Sequence, residues 1–373
     1  MLKKYIPLFL TTVFSRLKIN MALPDTFIPG FHDENEVRKL KYNDLGKTGL
    51  KVSELSLGTG GFSYFYGDFD VDECKKTVHQ AVKRGINLID TAPWYGHGVS
   101  EEILGKCLEG IPRKAYYLAT KVCRYEKDPK LMFDFSASKT KKSIDDSLKR
   151  LGLDYVDILQ VHDIEFAPTV ETILTETLPT VEEIVKSGKA RFVGITGYPV
   201  STLLECAEQS SVKIDTVLSY CRLTMIDNTL QSFIPKFKEN NIGIINAAAN
   251  SMGLLSNFGP PQWHPASQHI KDVCTEAREY CKKNNVELGK LAVYHSLQQD
   301  GPDTVLVGMN STKLLDYNLN VLLEGLSEKE KEMYHHVMKI FTTELKESHW
   351  ENIELENYWK TIKGESGSSG FFK

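Results

Sequence analysis

The sequence predicts an α/β protein of the closed (β/α)8 TIM-barrel class, with an N-terminal β-hairpin and an additional C-terminal helix. Three observations predict it. Short apolar runs alternate with amphipathic segments eight times in roughly 270 residues, the size and rhythm of an eight-stranded barrel. The runs are continuously apolar, as strands are when a packed interior covers one face and helices the other. An open dinucleotide-binding sheet is the competing class. The glycines after the first run do not form G-x-G-x-x-G, and no acidic residue follows at the spacing that fold needs.

Taken in order, residues 41–45 and 51–53 flank Gly46 and Gly49, whose tolerance of left-handed backbone suits a hairpin reversal. Residues 55–59 form the first barrel strand and end in glycines. The first helix runs 70–84, with Asp70 as its cap and apolar residues at 71, 74, 78, 81 and 82. Strand 86–90 follows, then helix 100–109 with Ser100 as its cap, strand 116–120 and helix 138–151. Strand 155–161, helix 176–187 ended by Gly188, strand 190–195 and helix 200–210 continue the alternation. Strand 216–218, helix 229–240 and strand 242–245 precede a long insertion reaching about residue 268. Helices 269–284 and 287–298, strand 304–307 and helix 311–323 close the cycle, and 326–345 reads as one more outer helix. The expected organisation is a leader over 1–38, a barrel domain over 39–345 and a C-terminal extension over 346–373 with a flexible Gly/Ser-rich end.

Composition excludes several classes. The formal net charge is -4, which argues against a nucleic-acid or anionic-membrane partner. Seven cysteines fall at scattered positions with no C-x-x-C pair, the usage of free thiols in a reducing compartment. The basic, apolar start (residues 1–21) is too short to span a bilayer and lacks a small-residue cleavage site. A cytoplasmic protein is the expectation, with organelle targeting by this segment as the alternative. No heptad or assembly patch is visible, so a monomer is expected.

The chemistry gathers at strand ends. Asp90, Lys121 and His162 end the second, third and fourth barrel strands, and Tyr95 lies five residues beyond Asp90. A barrel brings such residues to one rim. A phenol is a poor acid–base group at neutral pH, but a neighbouring ammonium favours its ionised form. A carboxylate can hold that ammonium, and an imidazole can orient a substrate oxygen. Such a tyrosine can take a proton from an alcohol or give one to a carbonyl oxygen. The carbon then needs a hydride partner, which a nicotinamide supplies. No metal site is expected, because the sequence has no H-E-x-x-H and His162 is the one obvious zinc ligand of the four. Alone, each residue reads as a cap, a packing aromatic, a rim lysine or a loop histidine; the joint placement carries the signal.

With these residues in hand, the chain resembles the aldo-keto reductase superfamily over about residues 41–325. The matching stretches are 85–92 with Tyr95 and Gly96, 100–105, 119–121, 143–157 with Val161 and His162, and 188–196. The resemblance implies that Asp90, Tyr95, Lys121 and His162 form the catalytic tetrad, with Tyr95 as general acid–base. Stretches 218–221, 252–255, 259–267 and 306–311 are similar to members of the family that oxidise an aldose such as L-galactose at C1 with NAD, giving a lactone. An NADPH-dependent reductase of aldehydes or ketones is the alternative, and a non-catalytic nucleotide-binding regulatory subunit a third reading that the intact tetrad disfavours.

The resemblance also implies where the cofactor lies, and several contacts depart from the pattern. The usual Ser-Asn pair after the fifth strand is Thr196-Gly197, the usual glutamine on the sixth strand is missing with Ser219 as the nearest polar residue, and small residues with Asn246 replace the stacking aromatic after the seventh. Thr59 closes the first strand. At the adenosine end, Gly308, Asn310, Ser311, Lys313 and Asn318 are the expected contacts. Leu314 stands where an NADP-binding arginine would be, which favours NAD, while Lys313 leaves NADP as the alternative. Trp94, His97 and Trp263 are the candidate contacts for the small-molecule sugar or carbonyl substrate.

Overall fold

The computed structural model describes residues 22–365. The basic, apolar leader (1–21) and the end of the Gly/Ser tail (366–373) lie outside the described residues. A short turn, α1 (Glu34–Val37), precedes a hairpin of β1 (Tyr42–Asp44) and β2 (Lys51–Ser53), paired antiparallel with Tyr42 opposite Ser53. The barrel then runs β3 (Leu55–Gly58), α2 (Val71–Lys83), β4 (Leu88–Asp90), α3 (Val99–Leu108), β5 (Tyr117–Val122), α4 (Pro129–Met132), α5 (Ala137–Leu151) and β6 (Val156–Val161). It continues with α6 (Val170–Thr172), α7 (Leu178–Lys186), β7 (Ala190–Gly197), α8 (Val200–Gln209), β8 (Thr216–Tyr220), α9 (Thr229–Glu239) and β9 (Gly243–Ala247). Last come α10 (Gln268–Lys283), α11 (Leu288–Leu297), β10 (Thr304–Gly308), α12 (Thr312–Glu324), α13 (Glu328–Glu344) and α14 (Ile353–Ile362). The eight parallel strands close in the order β10-β3-β4-β5-β6-β7-β8-β9.

Strand parity divides the core in two. Leu88, Tyr117, Ile158, Leu218, Ile245 and Leu306 point into the barrel, where Leu45, Leu50 and Val52 of the hairpin join them as a plug. Burying those three hairpin side chains is worth roughly 5–9 kcal/mol before ordering entropy. The alternate residues, such as Ile89, Leu159, Val217 and Ile244, pack outward against the helices. The hairpin turn presses on the barrel floor at Gly46 (φ 53°), where a Cβ would collide with the Gly243 backbone nitrogen. With one end plugged, chemistry is confined to the other end, where the strands finish.

Helix starts follow their caps: Asp70 accepts from Glu73 N, Ser136 from Lys139 N, and Ser327 forms a capping box with Glu330. Three local expectations differ. Ser100 does not cap α3, because Gly98 (φ 98°) turns the chain two residues earlier; its hydroxyl donates to the Thr59 carbonyl at 2.9 Å instead. The fourth barrel helix begins at Val170 and passes through a wide π turn (Ile173–Thr177) before α7, where Pro179 cannot donate to the preceding turn. Residues 346–365 carry α14, which the sequence reading left as an extension.

Candidate active site

Register sets the depth of each reactive group. Asp90 lies beside Ala119, Lys121 beside Gln160, and His162 directly follows β6, so the three inward side chains rise stepwise around the rim. Lys121 reaches back to Asp90. Its ammonium donates to Asp90 Oδ1 (2.5 Å), the Thr91 carbonyl (2.9 Å) and the Tyr95 hydroxyl oxygen (3.4 Å). All three ammonium protons are thereby used. Because lysine donates into the phenol oxygen, the phenolic proton points elsewhere. Gln160 Nε2 donates to Asp90 Oδ2 at 2.8 Å. Both carboxylate oxygens are therefore committed, and Asp90 serves as the lysine's counter-charge rather than as a base. The His162 ring meets the Tyr95 ring edge-on, with centroids 6.1 Å apart.

Electrostatics assign the protons. Burial pushes the Tyr95 hydroxyl above the usual phenol range; Lys121 pulls it down, while Asp90 and Asp163 push it further up. The expected lowering by Lys121 is present, but burial outweighs it. Burial opposes the Lys121 charge, yet Asp90 and Tyr95 hold its pKa above the ordinary lysine value. Burial brings His162 down to about 3, with Asp163 opposing, so its imidazole is held neutral, a form that has one ring N–H to donate. His162 Nε2 lies 3.6 Å from Asp163 Oδ2.

A second polar group lies beside His162. Asp163 takes a left-handed backbone (φ 49°), and its Oδ2 accepts from Arg124 Nη1 at 2.6 Å. The Arg124 guanidinium lies over the Trp94 ring at 4.2 Å. Glu165 Oε1 accepts from Tyr198 N at 2.9 Å. Its Oε2 fills the space in front of Gly197, where a Cβ would come within 2.7 Å of it. Burial, then Asp163, push the Glu165 carboxyl well above the usual range. Sequence reasoning missed Gln160, Arg124, Asp163 and Glu165. Gln160 was visible by parity, two residues before His162 on an alternating strand.

The expected cofactor contacts separate into those that face the mouth and those that do not. Ser219 and Asn246 do not: they share parity with Val217 and Ile244, which pack outward, and Asn246 Nδ2 donates to the Leu223 carbonyl at 3.1 Å. Nearness to a strand end was right for both, but orientation was not. Thr196 faces inward, and its hydroxyl accepts from Asp163 N at 3.0 Å. Thr59 braces the tetrad from below, donating to the Asp90 carbonyl at 3.1 Å and accepting from Ser100 at 2.9 Å. At the other end, Ser311 caps α12 by accepting from Leu314 N, and Asn310 Nδ2 donates to the Gly61 carbonyl at 3.3 Å. Gly308 is exposed, with open space around it, Lys313 and Leu314 are exposed, and Asn318 is buried on α12. At the start of α12 the Glu73 carboxylate already accepts from Thr312 N at 2.9 Å and Ser311 Oγ accepts from Leu314 N, so the exposed glycine turn before the helix, rather than these N–H groups, is the place open to a nucleotide.

Of the aromatic candidates, Trp94 adjoins Tyr95 and stacks on Phe65 at 5.4 Å. His97 is exposed and ties its Nδ1 to the Tyr125 carbonyl at 2.8 Å. Trp263 is carried on the insertion beside His264, at 6.4 Å, next to the C-terminal segment.

Comparisons with known proteins agree with this geometry. The family model described as "Aldo/keto reductase family" matches residues 54–338. The chain is 40% identical over 289 residues to L-galactose dehydrogenase of Arabidopsis thaliana, covering 77% of this chain and 89% of the relative. It is 30% identical over 308 residues to D-arabinose 1-dehydrogenase of Saccharomyces cerevisiae, covering 77% and 90%. Among solved structures, a Bacillus halodurans aldo-keto reductase in its holo form superposes with a TM-score of 0.62 at 26% identity, covering 81% of this chain and 96% of that one. The chain belongs to the aldo/keto reductase family and is an NAD(P)-dependent oxidoreductase of that type.

Proposed function

We propose that this protein oxidises an aldose at C1 to its lactone, with L-galactose as substrate and NAD as acceptor. The observation that carries the chemistry is the Tyr95 hydroxyl, whose oxygen accepts from Lys121 while the neutral His162 stands edge-on beside it. C1 of a cyclic sugar bears a hemiacetal hydroxyl. Tyr95 takes the proton of that hydroxyl, Lys121 stabilises the phenolate that must accept it, and Asp90 keeps Lys121 charged. His162 donates to the same substrate oxygen and fixes its position. Nicotinamide, when bound, accepts the hydride that leaves C1, and the carbon becomes the lactone carbonyl without a further step. Gly308, Asn310 and Ser311 would hold the nucleotide's phosphate and ribose, and Thr196 the nicotinamide end.

The choice of a sugar is supported by two relatives named as dehydrogenases of sugars, one of them explicitly at position 1. The choice of NAD is supported by the uncharged, exposed Leu314 at the start of α12. The test is a screen of purified protein against L-galactose, other L- and D-aldoses and simple aldehydes, each with NAD and NADP at limiting concentration, followed by absorbance of the reduced cofactor. L-Galactose with NAD should give the highest catalytic efficiency. Tenfold better efficiency with NADP would sink the cofactor assignment, and aldehyde reduction without any aldose turnover would sink the substrate class.

A further inference from the structure

Two neighbouring turns at the rim put a second ion pair beside the tetrad. β5 ends at Val122 and β6 at Val161, and these two residues are register partners. Beyond them the backbone turns left-handed at Cys123 (φ 82°) and again at Asp163 (φ 49°). The paired turns bring Arg124 and Asp163 together, with Nη1 donating to Oδ2 at 2.6 Å. Both partners are held in place. The Arg124 guanidinium lies over the faces of Trp94, Phe133 and Phe166, at 4.2, 5.2 and 5.8 Å from their centroids. Asp163 N donates to the Thr196 hydroxyl at 3.0 Å, and that hydroxyl donates back to Asp163 Oδ1 at 3.4 Å. The two side chains are 15% and 2% exposed, so the pair belongs to the interior of the mouth rather than to its outer surface.

The pair adjoins the reacting groups on both sides. Trp94, under the guanidinium, precedes Tyr95, and Asp163 Oδ2 lies 3.6 Å from His162 Nε2. A buried ion pair is a poor source of stability, because desolvation offsets most of its attraction. Its effect on a ligand is larger. Lys121 has the Asp90 carboxylate at 2.5 Å, and Arg124 has Asp163. Each of these two cations therefore has its charge already balanced. A ligand carboxylate or phosphate that approached Arg124 would meet the Asp163 carboxylate as well. It would lose its hydration without gaining an unopposed cation. An uncharged hydroxyl loses far less. It can also accept from Arg124 Nε, which is shielded from solvent and finds no acceptor in the protein.

We propose that the Arg124–Asp163 pair is a charge filter: Arg124 donates to a substrate hydroxyl, while Asp163 cancels its charge and so excludes substrates that carry a carboxylate or phosphate. Asp163 is thereby the specificity-determining residue. This rests on the aldose reading above and deepens it, since the aldose becomes an uncharged one rather than a uronate or a sugar phosphate. Selectivity of this kind comes from a group set against the wrong ligand, not from a further contact to the right one.

The test compares neutral and anionic substrates of similar shape in full-length wild type, Asp163→Asn and the double variant Asp163→Asn with Arg124→Gln. L-Galactose and L-galacturonate serve for oxidation, para-formylbenzamide and para-formylbenzoate for reduction, and a pair is compared when the wild type turns over either member. Wild type should favour the neutral member at least tenfold in kcat/KM. Equal or better use of the anion overturns the proposal, and this arm needs no variant to fold. Asparagine keeps the shape of aspartate, accepts from Arg124 through its oxygen and donates to Thr196 through its nitrogen. It should shift the ratio at least tenfold toward the anion, chiefly through a lower KM for the anion. An unchanged ratio overturns the assignment to Asp163. In the double variant the ratio should return to within threefold of wild type, and a shift that persists overturns the role of Arg124. L-Galactose left unconverted while para-formylbenzamide is reduced refutes the aldose reading, and the aldehyde pair then still decides the filter.

Discussion

Asp90→Asn isolates the charge that organises the site. Asparagine has the volume of aspartate, and its Oδ1 can still accept from Lys121, which sits at 2.5 Å with both side chains almost fully buried. Its new amide would face the Gln160 Nε2 donor now bonded to Asp90 Oδ2. Gln160 Oε1 has no partner, so the Gln160 amide can turn over and accept without breaking another bond. Shape and hydrogen bonds survive, and the counter-charge is lost. Removing one partner of a buried pair costs about 3–5 kcal/mol. Retaining the two hydrogen bonds, at about 1 kcal/mol each, brings the expected loss to about 1–3 kcal/mol near neutral pH. The sign with pH follows from Lys121. Its folded pKa is raised in the wild type, so its stabilisation is fully present below the unfolded lysine pKa and is lost only as pH rises through the folded value. In the variant, burial is no longer offset and that pKa falls, so the deficit is largest at neutral pH and narrows toward about pH 10. Urea unfolding of both proteins without nucleotide, at pH 7 and pH 9, measures this directly. A variant within about 0.5 kcal/mol of wild type at pH 7, well inside the scatter of a surface change, would refute the reasoning, as would a deficit that grows with pH.

Three further outcomes are expected. Because burial holds the Tyr95 hydroxyl above the usual phenol range, oxidation, which needs the phenolate, should speed up from pH 6 to pH 9 while the reverse reduction, which needs the neutral phenol, stays nearly flat; a flat profile for oxidation would remove Tyr95 from the proton transfer. Leu314→Arg, placed at an exposed site, should shift the NADP-to-NAD efficiency ratio at least tenfold toward NADP, about 1.4 kcal/mol, with no change in thermal stability; an unchanged ratio would place the 2'-position elsewhere. Glu101 is fully buried and accepts from Thr120 (2.6 Å), Ser147 (3.2 Å) and Arg150 (2.7 Å), so Glu101→Gln should cost roughly 2–4 kcal/mol in chemical denaturation, and a loss below about 0.5 kcal/mol would contradict that network.

The barrel was legible because parallel strands covered on both faces leave continuous apolar runs, and helices such as α2 carried their own cap. The gathering of Asp90, Tyr95, Lys121 and His162 at one rim was legible for a related reason: a strand that closes on an ionisable residue stands out against its apolar run. Ser219 and Asn246 were misplaced because nearness to a strand end was counted without parity, and one residue of offset turns a side chain from the mouth to the helices. The same parity would have revealed Gln160. The left-handed Asp163 and the Arg124 that pairs with it are products of loop conformation, which no periodicity encodes. The helix of residues 353–362 had a signal in Leu355, Tyr358 and Ile362 at helical spacing, but what it covers depends on tertiary contacts with Phe133 and Phe166.

The central claim is that C1 of an aldose loses its hydride while Tyr95 takes the hydroxyl proton. L-Galactose deuterated at C1 tests it most directly, with NAD as acceptor and the products examined by mass spectrometry. The account predicts deuterium in the reduced nicotinamide, a lactone without deuterium, and loss of both in Tyr95→Phe with nucleotide binding retained. A reduced nicotinamide without deuterium, or full transfer in Tyr95→Phe, would contradict it.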